Sequence, residues 1–332
     1  AGMVNAVLRK MQRSGTGRPG ERPSGSIESA RFAHPAWMVE RWVQRYGAAA
    51  EAICRWDQEP AALTVRADPD AVFSDLETEP GYFLTAARHV VRGDPGGSAA
   101  VREGRARIQD EASQLVAEIA ACDAKRVLDL CAAPGGKTAI LAERMPEATI
   151  TAVDISRKRL DAMRRSLPGS LAERIDFEVG DATKLDLRPE WDLILCDVPC
   201  SGTGTMARNP EIRLRVSEAD LARQHVRQAA ILRAGLRGLK PGGRLVYSTC
   251  SLEPEENETV VAEVLGAAAG FHRVPVSGVL DRLAEYGVVT AAGRERLRSA
   301  TDGQYLRTLP GVHPCDGFFA AVIQRQPIGN SQ

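Results

Sequence analysis

Apolar and polar positions follow two different periods along this chain, and the changes between them predict its elements. An apolar run that starts at Val127 leaves no polar face, which predicts a buried parallel strand. The run ends at Pro134-Gly135-Gly136, and apolar residues at helical spacing follow from Ala139. Residues 127–138 are therefore predicted to form a strand, a glycine turn and a helix N-terminus, an arrangement that holds nucleotide-like ligands in α/β proteins.

The alternation of strand and helix continues through the rest of the chain. Further strands are predicted at residues 148–153, 174–179, 192–196, 244–248, 305–309 and 318–324, and helices at residues 156–167, 221–239 and 255–265. Such alternation implies a mostly parallel sheet whose ligands lie beyond the carboxyl ends of the strands. Together with the strand at Val127, these segments predict a seven-stranded sheet with an antiparallel last pair.

A small α+β unit is predicted ahead of this sheet. Its first helix is predicted to end at Gly47. The remaining predicted segments are a helix at residues 48–56, strands at 62–66 and 81–91, a helix near 70–76 and a helix that opens at 109–113.

Further upstream, residues 4–13 resemble the end of a helix and residues 14–26 are typical of a linker. We therefore expect a fragment of a longer protein. Five basic residues in this region either lie in a solvated linker or contact RNA loosely.

Composition excludes several classes of protein. The 43 basic and 43 acidic side chains cancel, so no overall field favours a polyanionic partner. No apolar run approaches the roughly 18 residues of a membrane span, and no export signal follows the N-terminus, which predicts a soluble, cytoplasmic protein with no membrane partner. Seven cysteines without framework spacing are typical of a reducing compartment. Because the chain has no CxxC pair, no metal site is predicted.

Two aspartates at strand ends extend the glycine turn into a predicted nucleoside site. Asp154 follows the turn by about twenty residues, where a carboxylate accepts ribose hydroxyls, and Asp181 ends the next strand, where it would face adenine. Each aspartate taken alone is equally well explained as a helix cap or turn residue. An ATPase loop would need a glycine where Cys131 stands, and the chain has no diphosphate-binding GxGxxG. A cofactor without pyrophosphate therefore fits better, and S-adenosylmethionine would place its amino acid part against residues 132–136.

Two cysteines then indicate the chemistry. Cys200 follows Pro199 after one predicted strand, and Cys250 follows Thr249 after another. A lone cysteine is most often a small buried hydrophobe, but two at adjacent strand ends beside a carboxylate and a methyl donor favour catalysis. Methylation of a pyrimidine carbon needs such thiols, because that carbon is not nucleophilic until a thiolate adds across the ring.

Three motifs carry a resemblance to a known family. They are Asp129-Leu130-Cys131-Ala132-Ala133-Pro134-Gly135-Gly136-Lys137-Thr138, Asp197-Val198-Pro199-Cys200-Ser201-Gly202-Thr203-Gly204 and Ser248-Thr249-Cys250-Ser251. In this order they resemble the signatures of the NOL1/NOP2/Sun family of RNA 5-methylcytosine methyltransferases. The likeness is greatest to its bacterial RsmB (Sun, Fmu) branch, which modifies 16S small-subunit ribosomal RNA. It extends over nearly the whole chain, from Arg31-Phe32-Ala33-His34-Pro35 to Asp316-Gly317-Phe318-Phe319.

The resemblance implies a Rossmann-like class I S-adenosylmethionine-dependent methyltransferase fold and a role for individual residues. Residues 1–26 would be the last helix of a NusB-like RNA-binding domain with a linker, residues 27–107 the α+β subdomain, and residues 108–326 the catalytic domain. Cys250 would attack carbon 6, Cys200 would help release the product, and Asp197 would hold and protonate the base edge. The predicted cofactor-binding residues, which would also hold the product S-adenosylhomocysteine, are Cys131, Ala132, Ala133, Pro134, Gly135, Gly136, Lys137, Asp154, Arg159, Asp181 and Asp197.

Basic residues behind the Cys200 loop indicate a path for RNA. Residues 208–244 hold nine basic side chains against three acidic ones. A solvated amphipathic helix explains part of this excess, but Arg208, Arg213 and Arg215 are predicted to meet phosphates. The target cytosine must leave its stack to reach a thiolate, which favours a single-stranded or loop region of ribosomal RNA. We expect the protein to act as a monomer.

Two other functions compete with this interpretation. An amino-group methyltransferase would share the fold and cofactor, but its site needs an aromatic residue to stack the target where Cys200 stands. A non-catalytic RNA-binding ribosome-assembly factor is the second alternative. It would have no use for Cys200, Cys250, Asp197 and the glycine turn together, so the sequence favours an enzyme.

Overall fold

A computed structural model describes residues 32–327, and the predictions made for residues 1–31 lie outside this range. The helices are α1 (Ala36–Tyr46), α2 (Ala49–Trp56), α3 (Ala99–Arg102), α4 (Glu111–Ala120), α5 (Gly136–Arg144), α6 (Arg157–Ser166), α7 (Gly169–Ala172), α8 (Ile212–Arg215), α9 (Glu218–Gly238), α10 (Glu258–Gly266), α11 (Val276–Glu285) and α12 (Ala291–Leu297). The strands are β1 (Thr64–Ala67), β2 (Glu77–Pro80), β3 (Ala87–Arg92), β4 (Ala106–Ile108), β5 (Arg126–Asp129), β6 (Thr149–Asp154), β7 (Ile175–Val179), β8 (Trp191–Asp197), β9 (Leu239–Thr249), β10 (Phe271–Val274), β11 (Tyr305–Arg307) and β12 (Phe319–Arg325).

The larger of two sheets carries the predicted site residues. Its strands follow the order β10-β12-β9-β8-β5-β6-β7, and β11 pairs with β12. Strands β5 to β9 are parallel, whereas β12 is antiparallel to β9 and β10. The predicted Rossmann-like, mostly parallel sheet is confirmed, but it has eight strands rather than seven. The sequence analysis missed β10, because this four-residue strand has no fully buried position that would produce an apolar run.

Helices cover both faces of the large sheet. Val127 of β5 packs into the hydrophobic layer that includes α4 and α5, and the next residue, Leu128, packs into the opposite layer with α9 and α10. Successive side chains of a strand point to opposite faces, so a strand buried on both sides needs an unbroken apolar run. This burial explains why the sequence pattern at Val127 was so clear.

A second sheet of four antiparallel strands, in the order β2-β3-β1-β4, stands ahead of the large one. Buried Arg66 of this sheet donates to Glu118 of α4 at 2.8 Å and to Glu143 of α5 at 2.9 Å. These hydrogen bonds connect the small sheet to two helices that pack on the large sheet. The helix predicted near residues 70–76 is wrong, and this segment is irregular, with a bend at residues 74–75. Asp75 caps the following α3 instead, since its carboxylate accepts hydrogen bonds from Ser98 Oγ and Ala99 N. The strand predicted at residues 81–91 begins only at Ala87, as β3, and residues 81–86 form the connection from β2.

Candidate active site

The glycine turn after β5 forms the floor of the candidate site. Gly135 has a positive φ of 105°, and a Cβ there would lie 2.6 Å from Met163 Cγ of α6. Only glycine fits both the conformation and the space. The turn contains a cis peptide bond before Pro134, and α5 begins at Gly136, directly after Gly135. Residues 131–137, which form this turn and the start of α5, line a cavity at the end of the sheet.

Asp154 lies at the carboxyl end of β6, as predicted, and is almost fully buried. Its Oδ1 accepts a hydrogen bond from Ser156 N at 2.9 Å, and its Oδ2 lies 3.2 Å from Arg159 Nη1. Arg159 also donates to the carbonyl oxygen of Ala133 in the glycine turn. Arg159 therefore connects Asp154, the carboxylate predicted to bind ribose, with the predicted cofactor loop.

Asp181 follows β7, one strand farther from the centre of the sheet. Thr183 donates to Asp181 Oδ1 from its backbone nitrogen at 3.0 Å and from its hydroxyl at 2.7 Å. These hydrogen bonds lower the pKa of Asp181 below its ordinary value. Asp181 is held as an acceptor at the edge of the cavity that Asp154 also lines.

Asp197 ends β8 and has two partners. Lys137 Nζ lies 2.7 Å from its Oδ2, and Ser248 Oγ donates to its Oδ1 at 2.7 Å. The ammonium group of Lys137 also lies 4.8 Å from the centroid of the Phe318 ring. The lysine of the glycine motif thus contacts the aspartate of the second motif rather than solvent.

The two motif cysteines meet at the carboxyl ends of neighbouring parallel strands. Cys200 Sγ and Cys250 Sγ are 3.3 Å apart, within hydrogen-bond distance for sulfur. The hydrogen bond with Cys250, and then burial, raise the pKa of the Cys200 thiol well above its ordinary value. Gly204 N donates to the carbonyl oxygen of Cys250 at 2.9 Å and connects the two loops. The arrangement contains one thiol held as a hydrogen-bonded neighbour of the other.

One cavity of about 320 Å³ brings these groups together. It is lined by Asp154, Arg159, Asp181, Asp197, Cys200 and Cys250, among others. A second cavity, of about 370 Å³, lies against residues 131–137 on the side of β4 and shares Asp197 and Cys131 with the first. The predicted catalytic and cofactor-binding residues therefore surround one continuous region at the end of the sheet.

Sequence reasoning missed two kinds of residue near this region. The first is the buried pair Gln228 and Glu256, which contact the cysteine loops. The second is Arg227, which lines the thiol cavity and forms no hydrogen bond or ion pair with any of residues 32–327. Arg227 is one of the nine basic residues between positions 208 and 244, but nothing in the sequence indicates that this one faces the cavity.

Burial also gives Asp129 an unusual character at the end of β5. Its side chain is fully buried, and Thr138 Oγ1 donates to its Oδ2 at 2.7 Å. Burial, together with the nearby charge of Asp197, raises the pKa of Asp129 to about 7 in spite of this hydrogen bond. Asp129 thus holds the start of α5 against the end of β5.

The three predicted RNA-binding arginines differ in their surroundings. Arg208 Nε lies 2.8 Å from Asp316 and its Nη2 lies 3.1 Å from Asp110. Arg213 donates to the carbonyl oxygen of Asp57. Arg215 is exposed and forms no ion pair within the described range. Arg208 and Arg213 therefore have structural partners, and an RNA-binding role for all three stays a prediction.

Residues 32–327 contain no group of three or more His, Cys, Asp or Glu side chains placed to hold a metal ion. No helix in the same range is both long enough and apolar enough to cross a bilayer.

Comparison with known proteins gives a family and a fold. Residues 116–324 match the family described as 16S rRNA methyltransferase RsmB/F, and residues 34–72 match the ferredoxin-like domain of RsmF/B-like methyltransferases. Ribosomal RNA small subunit methyltransferase B of Xanthomonas campestris is 33% identical, over 97% of this chain and 71% of its own. The crystal structure of PH0851 has a TM-score of 0.77 at 26% identity and covers 92% of this chain and 70% of its own. NSun6 from Pyrococcus horikoshii, solved with SFG, shares the fold, with a TM-score of 0.68 at 19% identity over 88% of this chain and 98% of its own.

Proposed function

The chain belongs to the 16S rRNA methyltransferase RsmB/F family, whose methyl donor is S-adenosylmethionine. On that premise we propose that it methylates carbon 5 of a cytosine in small-subunit ribosomal RNA through a covalent cysteine–RNA intermediate. The observation that carries the proposal is the 3.3 Å separation of Cys200 Sγ and Cys250 Sγ in the cavity lined by Asp154 and Asp181. Methylation of a nitrogen or oxygen needs no thiol, because those atoms already carry a lone pair.

The residues around the glycine turn fit S-adenosylmethionine. Gly135 and Gly136 line one cavity, Asp154 and Asp181 line its neighbour, and Asp197 lines both. In the proposed complex Asp154 accepts the ribose hydroxyls, Asp181 lies near adenine, and residues 131–137 with Arg159 and Asp197 hold the amino acid part. The bound cofactor supplies an electrophilic methyl group.

Cys250 is the proposed nucleophile. Its thiolate forms a bond to carbon 6 of cytosine, and the electron pair of the carbon 5–carbon 6 double bond moves into the ring. Asp197 protonates the base edge, which neutralises that charge and leaves carbon 5 as an enamine-like nucleophile for the methyl group. Removal of the proton from carbon 5 then restores the double bond and expels the Cys250 thiolate, and the base edge returns its proton to Asp197.

The geometry supports Cys200 as the residue that assists this last step. While Cys250 is free, its hydrogen bond is the largest cause of the raised pKa of Cys200, ahead of burial and the charge of Glu256. Once Cys250 is bonded to carbon 6 as a neutral thioether, that cause is removed. Cys200 then ionises more easily and can accept a proton in the neighbourhood of the adduct.

Several further features belong to the proposal. The substrate region is single-stranded or looped, because the base must be extruded to reach Cys250 inside the cavity. The chain is proposed to act as a cytoplasmic monomer, with a boundary near residue 107 between the α+β subdomain and the catalytic domain. The experiment that tests the proposal is bisulfite sequencing of small-subunit RNA treated with the protein and S-adenosylmethionine. It should reveal one newly protected cytosine, and no protected cytosine would overturn the function.

Loss of the Asp154 carboxylate should weaken cofactor binding. Asp154→Ala is expected to cost about 1–3 kcal/mol of S-adenosylmethionine affinity, since the ribose would lose its charged acceptor. Asp154→Asn, which can still accept from Ser156 N, separates this loss from damage to the start of α6. Titration calorimetry measures the affinity, with Asp161→Ala on the exposed face of α6 as the control. Equal affinity for wild type and both Asp154 variants would remove this residue from the site.

The two unpaired arginines should carry the salt dependence of RNA binding. Arg215→Gln and Arg227→Gln are each expected to reduce the slope of log affinity against log salt by about 0.7, the value for one lost phosphate contact on a single strand. Fluorescence anisotropy across a salt series measures the slope. Arg223→Gln is the control, because this exposed arginine of the same helix α9 already pairs with Asp220. Unchanged slopes in both test variants would mean that RNA enters by another face.

A further inference from the structure

Four hydrogen-bond donors converge on one buried carboxylate beside the cysteine loops. Glu256 is fully buried, and its Oε1 accepts from Ser201 N at 2.8 Å and from Gln228 Nε2 at 3.0 Å. Its Oε2 accepts from the hydroxyls of Ser201 and Ser251. Both oxygens of Glu256 are therefore fully used as acceptors, which a carboxylate alone can satisfy.

The donors come from three separate segments of the chain. Ser201 follows Cys200 in the loop after β8, Ser251 follows Cys250 in the loop after β9, and Gln228 lies on α9. Gln228 Nε2 also donates to the carbonyl oxygen of Pro199 at 3.0 Å, so it holds the Cys200 loop from its other side. Ser201 Oγ and Ser251 Oγ are themselves 3.1 Å apart. The single side chain of Glu256 thus connects the residues that directly follow both cysteines.

From this convergence we infer that Glu256 is a positioning residue, which holds the Cys200 and Cys250 loops in the register that brings their sulfurs to 3.3 Å. The inference rests on the proposed function, because it assigns Glu256 to the same pair of thiols. Glu256 does not touch the reacting atoms. It acts through Ser201 and Ser251, and its negative charge also contributes to the raised pKa of Cys200.

A nearby carboxylate offers a matched control. Glu253 lies in the same turn, and its side chain is as deeply buried as that of Glu256. Glu253 accepts from Trp42 Nε1 at 2.9 Å and from Arg41 Nε at 3.1 Å, so it holds α1 rather than the cysteine loops. The backbone nitrogen of Glu253 donates to Ser251 Oγ at 3.0 Å, but its carboxylate contacts neither serine. Glu253→Gln therefore removes a buried negative charge and no hydrogen bond to Ser201 or Ser251, whereas Glu256→Gln changes a carboxylate that accepts from both.

The test measures the proximity of the two sulfurs directly, without RNA. Phenylarsine oxide bridges two thiols only when they are close, and it forms two arsenic–sulfur bonds with release of one water. Wild type and Glu253→Gln should capture it equally, and Cys200→Ala and Cys250→Ala should each abolish this capture. Glu256→Gln should capture it about tenfold or more weakly, because the effective concentration of one thiol near the other falls when the loops are no longer aligned. Capture by Glu256→Gln at the level of wild type would overturn the inference.

A kinetic measurement distinguishes failure of this inference from failure of the proposed function. The rate of covalent complex formation with RNA that carries 5-fluorocytidine at the target should fall about 10- to 100-fold in Glu256→Gln and stay within about twofold of wild type in Glu253→Gln. If wild type itself forms no complex, the proposed function fails whatever the arsenical result. If Glu256→Gln does not fold, Ser201→Ala can replace it, since this variant loses only the Ser201 hydroxyl that donates to Glu256. It should reduce both arsenical capture and the rate of complex formation by about threefold to tenfold. Full wild-type behaviour of Ser201→Ala and Glu256→Gln would leave Glu256 a purely structural residue.

Discussion

Replacement of Cys200 by alanine is expected to leave the protein covalently attached to its RNA. Attack by Cys250 and methyl transfer would still occur, because neither step uses the Cys200 sulfur. The proton on carbon 5 would then have no nearby acceptor, so the bond between Cys250 and carbon 6 would persist. A complex labelled with radioactive methyl groups should survive denaturing gel electrophoresis, while free methylated RNA falls by roughly 10³-fold or more.

Variants of Cys250 test which of the two thiols attacks carbon 6 and which assists release of the product. Cys250→Ala should give neither complex nor product, because the ring carbon stays inert without the attacking thiolate. The double variant should behave like Cys250→Ala, as expected when two residues act in sequence on one intermediate. Cys122→Ala, a half-buried cysteine outside the cavity, should behave like wild type. A trapped complex in Cys250→Ala, with none in Cys200→Ala, would exchange the two roles, since cysteine after proline is the nucleophile in DNA cytosine methyltransferases.

The sequence predicted the elements that are defined by local patterns. The strand at Val127, the glycine turn and the helix after it follow from apolar periodicity and from the conformational freedom of Gly135, all within about a dozen neighbouring residues. Strand ends at Asp154, Asp181 and Asp197 could be placed for the same reason. Because parallel strands align their carboxyl ends, the meeting of these residues follows from topology without knowledge of any side-chain contact.

Contacts between distant segments explain what the sequence did not reveal. Glu256 holds Ser201, which lies 55 positions earlier in the chain, and nothing in the local pattern indicates that contact. Arg208 looked like a phosphate ligand because it is basic and near the Cys200 loop. Its partners Asp110 and Asp316 lie 98 and 108 positions away, so a single sequence could not show that its charge is already paired.

The failed helix near residues 70–76 has a related cause. Local propensity there was weak, and Asp75 bonds to Ser98 and Ala99 across 23 and 24 positions. Short side chains such as Asp offer the backbone an alternative to helix when a nearby segment needs a cap. The conformation of residues 70–76 therefore depends on the hydrogen bonds of Asp75 to a distant segment rather than on a signal within residues 70–76.

Loss of the acid at Asp197 is expected to slow the reaction at its first chemical step. Thiolate addition to carbon 6 places negative charge in the ring, and a proton delivered to the base edge neutralises it. Asp197→Asn keeps the shape of the side chain and an oxygen that can accept from Ser248, but it cannot deliver that proton. Turnover should therefore fall by about 10²- to 10⁴-fold, the usual contribution of a general acid.

The opposite end of the same strand supplies the control for Asp197. Asp192, near the start of β8, is 29% exposed and pairs with Lys240, much as Asp197, at its end, is 27% exposed and pairs with Lys137. Asp192→Asn should leave turnover within about threefold of wild type, because Asp192, unlike Asp197, does not line the cavity that contains Cys250.

Trapping on RNA that carries 5-fluorocytidine locates the step at which Asp197 acts. Fluorine at carbon 5 leaves no proton to remove after methyl transfer, so the covalent complex accumulates and its rate reports attack and methyl transfer alone. Asp197→Asn should form this complex as slowly as it turns over normal RNA, whereas Cys200→Ala should form it at the wild-type rate. If Asp197→Asn forms the complex at full rate yet turns over slowly, the carboxyl group serves elimination instead of attack. In that case the proton that activates the ring comes from another group near the base, and Lys137, whose ammonium lies 2.7 Å from Asp197 Oδ2, is the next variant to test.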